Sequence, residues 1–290
     1  MNVILHCRRS IAAIALAAAA GGCASVDVMP ANPDELAAQL ARHPVAILGE
    51  THDNAAQHRL RAAALARLYE GGARPALALE QFDRGQQAAI DALLQADAPV
   101  AERVDRIVAL GDRGWNWTYY RPYVELAVTY RVPLIAANLS RADALRVARD
   151  GVGAAFGPAE QAAMRLQDVP ADLLRAQRRE VDEGHCHTLP ADALEPMARA
   201  QVARDATMAA MLQPVLPRGV VLLAGNGHAR RDIGVVRYLS PADRQRAVSI
   251  GLIEDDGHAP ELPRGAFDAI ILTAAQPRPD PCLELQKKAG

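Results

Sequence analysis

Short apolar runs recur along the chain at 45–48, 76–79, 133–137, 220–224, 247–253 and 267–273. They are near-continuous rather than alternating, which is the pattern of strands buried on both faces. Ala-rich stretches separate the early runs. Leu60, Ala64 and Leu68 fall at helical spacing within 58–69, and Gly71-Gly72 follows as a stop. Helices are likewise predicted over 84–96, 101–110 and 123–131. This alternation predicts an α/β fold, a mostly parallel open sheet flanked by helices. The rhythm breaks from about 141 to 217. That stretch has no convincing strand, carries helical segments such as 159–166 and 191–212, and places Pro170, Pro190 and Pro214 at their boundaries. It reads as a helical insertion before the later strands, covering the sheet's edge or its site. The proline-rich tail at 276–281 is expected to be extended.

Two of the apolar runs end in the same pattern. Gly49-Glu50-Thr51-His52 follows the first, and Gly225-Asn226-Gly227-His228 follows the fourth. A buried strand that ends in glycine and then histidine delivers a ligand or a base to a site. Other runs also end in polar residues: Glu80 with Gln81, Asn138, and Glu254. In open parallel sheets, ligands bind outside the carboxyl ends of the strands. Glu50, His52, Glu80 and His228 could therefore hold a divalent metal or form a general acid/base set. The competing reading is that the histidines cap helices or bond within loops.

Composition sharpens a second signal. The chain has only eleven aromatic residues, and Trp115, Trp117, Tyr119, Tyr120, Tyr123 and Tyr130 lie within one short segment. Much of this segment is expected to be loop and first helical turn. Such a concentration suits a flat apolar ligand or a partner, and tyrosine is an axial ligand for haem iron. A hydrophobic cluster beneath a loop would also explain it. A third cluster, Asp182-Glu183-Gly184-His185-Cys186-His187, lacks the usual zinc spacings and could be a solvated loop. Cys186 is expected to be buried, paired or ligand-facing. An oxidising compartment would permit a bridge between Cys186 and Cys282, which spacing alone cannot establish.

The N-terminus reads as a targeting segment. Arg8 and Arg9 precede an apolar stretch over 11–20, and Ala20-Gly21-Gly22 precede Cys23. This is the layout of a lipoprotein signal over 1–22, cleaved before Cys23 with lipidation (palmitate) of its thiol. Ala20 stands where an aliphatic residue is usual, so an ordinary signal peptide with a chance cysteine stays open. The apolar stretch is too short to span a bilayer. A single α/β domain over 23–290 would remain. Removing Arg8 and Arg9 leaves 30 basic and 34 acidic residues, a net charge of −4, which argues against nucleic acid as a partner.

Taken together, Ile47–Asn54, Leu79–Phe82, Trp115–Tyr123, Ala136–Leu139, Gly184–Cys186, Ala200–Asp205 and Ala224–His228 resemble the ChaN-like haem-binding lipoprotein family. The resemblance runs from about Ala46 to Leu239, and Cys23 fits it. It implies an α/β fold and a lipid-anchored protein of the bacterial envelope, with outer-membrane sorting compatible with Ala24. It also implies a role in haem or iron uptake, with a haem transporter or receptor as partner. Haem would be held by a tyrosine phenolate, with a homodimer as one arrangement. The axial role transfers to Tyr120 through its Tyr-x-Pro match, with Tyr119 and Tyr123 as near alternatives. Arg121, His185 and His228 are candidates to contact the propionates. The paired Gly-x-x-His pattern is also similar to the wider Tiki and erythromycin-esterase relatives. That likeness implies the alternative, a metal-dependent protease or esterase using Glu50, His52, Glu80 and His228.

Overall fold

The computed structural model describes residues 26–257, 262–280 and 282–283. The signal segment 1–22 and Cys23 lie outside them. The chain opens with a short edge strand, β1 (Asp27–Met29), then α1 (Pro33–Arg42), β2 (Val45–Leu48), α2 (Ala55–Glu70) and β3 (Ala76–Asp83). Three helices follow before the next strand: α3 (Gln87–Gln95), α4 (Val100–Val108) and α5 (Trp117–Tyr130), then β4 (Leu134–Asn138). Next come α6 (Arg141–Asp150), α7 (Pro158–Ala163), α8 (Ala171–Gly184) and the long α9 (Ala191–Leu212), with no strand among them. The chain then re-enters the sheet with β5 (Val220–Leu223), a single turn α10 (Asn226–Ala229), α11 (Pro241–Arg246), β6 (Ala247–Asp255) and β7 (Ala269–Ala274).

All seven strands are parallel, in the order β1-β7-β6-β2-β5-β3-β4. The apolar runs are continuous because both sheet faces are covered. Ala46, Leu48, Leu77, Leu79 and Leu223 pack with α2 and α5 on one face. Val45, Ile47, Ala78, Val220 and Leu222 pack with Met208, Ala209 and Leu212 of α9 on the other. Each fully buried Leu or Ile contributes about 1.5–3 kcal/mol. Helices α6 and α9 enclose a third apolar cluster around Leu139, Val147, Phe156 and Ala203. Among the described residues, no helix is long and apolar enough to cross a membrane.

Two elements differ from the sequence expectation. β1 is only three residues, with Val28 exposed, so no apolar run announces it. The aromatic segment is helical from Trp117 onward, capped by Asn116, whose side chain accepts from the Thr118 amide.

Candidate functional site

The two Gly-x-x-His segments meet because β2 and β5 are adjacent and in register, Leu48 opposite Leu223. The Glu50 carbonyl accepts from the Asn226 amide at 3.0 Å, joining the two turns directly. The glycines are required by close approach. A Cβ on Gly49 would lie 2.1 Å from the Asn226 side-chain oxygen, and one on Gly225 would lie 2.9 Å from the His52 ring.

Glu50 is the centre of the first polar network, and it is buried. Its Oε1 accepts from the Tyr120 hydroxyl at 2.5 Å and from His52 Nδ1 at 2.7 Å. Its Oε2 pairs with the guanidinium of Arg61, which is fully buried on α2. His58, one turn before Arg61, donates from Nε2 to the His52 carbonyl at 2.9 Å, and its Nδ1 lies 3.2 Å from both Arg61 and the Tyr123 hydroxyl. Burial drives the His58 pKa down to about 4, so the ring is neutral at physiological pH. Tyr119 stacks on that ring, with centroids 4.6 Å apart.

Glu80 anchors the second network. Its Oε2 accepts from the Gly225 amide at 2.7 Å, and its Oε1 lies 3.5 Å from His228 Nε2. His228 Nδ1 in turn lies 2.7 Å from Asp205 of α9, whose other oxygen accepts from Gln177 at 3.0 Å. Burial opposes charge on His228, but Asp205 and Glu80 outweigh it and push its pKa up to about 9. The imidazolium is thus held between two carboxylates. Burial would raise the Glu80 carboxyl, yet His228, His52, the Gly225 amide and Arg204 together hold it below its ordinary value. Arg204 also donates to Asn138 at 2.9 Å.

An open cleft of about 390 Å³ lies beside the first network. His52, Trp115, Tyr119 and Tyr120 form its aromatic wall, and Gln276 and Pro277 of the C-terminal tail form another. Trp115 meets the His52 ring edge-on at 4.9 Å. The tail is clamped there: Arg278 bonds both Asp53 and Glu254 at 2.7–2.8 Å. Arg278, with Asn54 and the Gln276 amide assisting against burial, lowers the Glu254 carboxyl to about 2. Past the clamp, Cys282 forms a disulfide with Cys186 in the α8–α9 turn.

Residues 36–239, which hold both polar networks and the aromatic wall, match the family model described as haem-binding uptake, Tiki superfamily, ChaN. The chain belongs to the ChaN haem-binding uptake family. A solved structure described as cofacial heme binding to ChaN of Campylobacter jejuni superposes with TM-score 0.61 at 19% identity, covering 82% of this chain and 90% of that one. It shares the fold. A mutant of the erythromycin esterase EreC, in its open conformation, superposes at TM-score 0.43 and 14% identity, covering 76% of this chain and 72% of that one. No curated protein sequence matches the chain. The ChaN-family match ends before β6, so Glu254, the tail clamp and Cys282 lie beyond it.

Against a haem ligand, the ChaN-family candidates fall into different places. Tyr119 and Tyr120 line the cleft, but their hydroxyls differ. That of Tyr120 is buried and donates to Glu50, and burial raises its pKa well above the ordinary tyrosine value. That of Tyr119 has no hydrogen bond among the described residues. Tyr123 is fully buried and donates to the His58 carbonyl at 3.1 Å. Arg121 is engaged by Asp105 and Glu125. His185 holds the Val181 carbonyl at the end of α8, and neighbouring His187 pairs with Asp182. His228 belongs to the Glu80–Asp205 network. Glu50, His52, Glu80 and His228 are brought to one edge of the sheet but split between two networks. Among the described residues, no group of three His, Cys, Asp or Glu is arranged to hold a metal ion. Arg61 and Asp205 are site residues that sequence reasoning missed. Asp205 closes one of the segments that carry the family resemblance, whereas nothing in an Ala-rich helix singles out Arg61.

Proposed function

We propose that this protein binds haem in the aromatic cleft, with the Tyr119 phenolate as the group presented to iron. The observation that carries this reading is the contrast within one helix. Tyr119 faces the cleft with an uncommitted hydroxyl, whereas Tyr120 and Tyr123 are buried and bonded. Trp115 and Tyr119, which line the cleft, supply aromatic surface suited to a flat macrocycle. Bound haem would supply a ferric iron, for which a hard anionic phenolate is a suited ligand. His52, fixed at Nδ1 by Glu50, leaves Nε2 without a partner among the described residues beside the cleft. Membership of an uptake family supports delivery of haem or iron as the purpose, with a transporter or receptor as the recipient. The disulfide supports an oxidising compartment, in keeping with lipidation at Cys23 and a place in the envelope. Metal-dependent hydrolysis is the less favoured reading, because Glu50 is engaged by Tyr120, His52 and Arg61, and Glu80 by the Gly225 amide and His228.

Haemin titration followed by absorbance tests this. A saturable Soret shift is expected in the wild type and in Tyr120→Phe, and its loss in Tyr119→Phe. Loss in Tyr120→Phe alone would move the ligand to that residue. Absence of any saturable shift in the wild type would end the haem reading.

A further inference from the structure

A pocket of about 230 Å³ lies between the approach to α8 and the segment leading into β6. Arg165, Arg237 and Arg244 line it, with Asp168, Tyr238 and Leu173. α11 runs directly into β6, so this pocket sits at the amino ends of the strands, opposite the aromatic cleft.

Three arginines face a single carboxylate there, Asp168. Among the described residues, none of the three arginines pairs with a carboxylate. Arg165 donates to the Tyr238 carbonyl at 3.1 Å, and Arg244 donates to the Arg237 carbonyl at 2.7 Å and the Leu239 carbonyl at 3.4 Å. These bonds orient the guanidinium groups without neutralising them. Arg244 Nε is buried and has no acceptor. Arg237 has no side-chain hydrogen bond among the described residues. Burial, with Arg237, Arg165 and Arg231 nearby, lowers the Arg244 pKa, as expected where like charges face each other. Such an arrangement costs free energy unless an anion completes it.

A second feature faces the same space. Pro170 and Leu173 of the α8 start line the pocket, and α8 has no side-chain cap. Its first backbone bond is Leu174 N to Pro170 O at 3.0 Å, leaving the preceding amides of the first turn open. Open amides at a helix start and guanidinium forks are both donors suited to phosphate oxygens. The one carboxylate lining the pocket, Asp168, makes no ion pair with the arginines and opposes the anion.

We infer that the Arg165–Arg237–Arg244 pocket is a binding site for a phosphate-type oxyanion, either a phospholipid headgroup or a free phosphate. The pocket shares its end of the sheet with Asp27, the start of β1. An anchor at Cys23 would hold that end near the membrane, where phosphate headgroups are concentrated.

The test uses the chain from Ala24 onward, which keeps every described residue. Inorganic phosphate is titrated calorimetrically at constant ionic strength, and flotation is measured with phosphatidylglycerol and phosphatidylcholine vesicles. Saturable phosphate binding is expected, weakened about tenfold or more in Arg237→Gln, the loss of one charge-assisted contact. Asp168→Asn is expected to tighten binding, and it removes no contact that folding uses. An unchanged haemin titration reports that Arg237→Gln is folded. Flotation only with phosphatidylglycerol, dependent on Arg237 and without free-phosphate binding, assigns the headgroup as the source. Binding of neither probe, or binding indifferent to both substitutions, overturns the inference.

Discussion

Arg61 has no exposed surface yet carries a permanent charge, on a helix otherwise rich in alanine. Its partner Glu50 is equally buried, so the pair adds little net stability. Its consequence is orientation, because it fixes the carboxylate that holds Tyr120 and His52. Two histidines, His58 buried and His228 largely so, then shift in opposite directions. Burial lowers His58 to about 4, whereas the facing carboxylates, against burial, raise His228 to about 9. Both start from about 6.5 when unfolded. Below 6.5 the unfolded chain protonates His58 and the folded one does not, so stability falls with pH down to about 4. Above 6.5 the unfolded chain releases the His228 proton while the folded one keeps it, so stability falls again towards 9. Each arm amounts to about 3 kcal/mol at full extent. Urea unfolding at a series of pH values should therefore show stability falling from about pH 6.5 towards 9 through His228, whereas on the acid side Asp205, which burial raises to about 6, opposes the His58 loss. His228→Gln should flatten the alkaline arm alone; a fall that persists in that variant would contradict this assignment.

At the scale of elements, α5 decides which tyrosines are available. Helical periodicity buries Tyr120, Tyr123, Val124 and Ala127, and turns Tyr119 to the cleft. The sequence showed the aromatic concentration but not this division, because Pro122 and the aromatic run disguise the helix start. The tail is a second functional element. It carries Gln276 and Pro277 to the cleft, clamps through Arg278, and reaches the Cys186–Cys282 bridge. The cysteines are 96 residues apart. By loop-closure entropy such a bridge stabilises the fold by about 4–5 kcal/mol. The double variant Cys186→Ser/Cys282→Ser should melt well below the wild type and be insensitive to reductant. Equal melting temperatures for the two proteins would show that the bridge does not constrain the unfolded chain.

At the scale of the whole molecule, seven parallel strands give the protein two unlike ends. The aromatic cleft lies at the carboxyl ends, and Asp27 starts β1 at the amino ends. An anchor four residues before Asp27 would leave the cleft facing away from the bilayer. Lipidated protein in vesicles should accordingly bind externally added haemin with the same affinity as the detergent-dispersed form. A marked loss of affinity on reconstitution would place the cleft against the membrane instead.

The apolar runs predicted the parallel sheet apart from β1, and the strand-free stretch over 141–217 was legible as helical. Strands buried on both faces must be apolar throughout, and the helices between them need apolar spacing that is visible in one dimension. The sequence also marked the strand ends where Glu50, His52, Glu80 and His228 sit, because polar residues abutting a buried run have few other reasons to be there. Which of these side chains meet follows from the packed fold alone. The pairing of Glu50 with Arg61, of His228 with Asp205, and of Cys186 with Cys282 depends on strand order and helix packing. The first of these contacts crosses from a strand end onto the helix packed beside it, the others join separate elements, and local spacing carries no record of them.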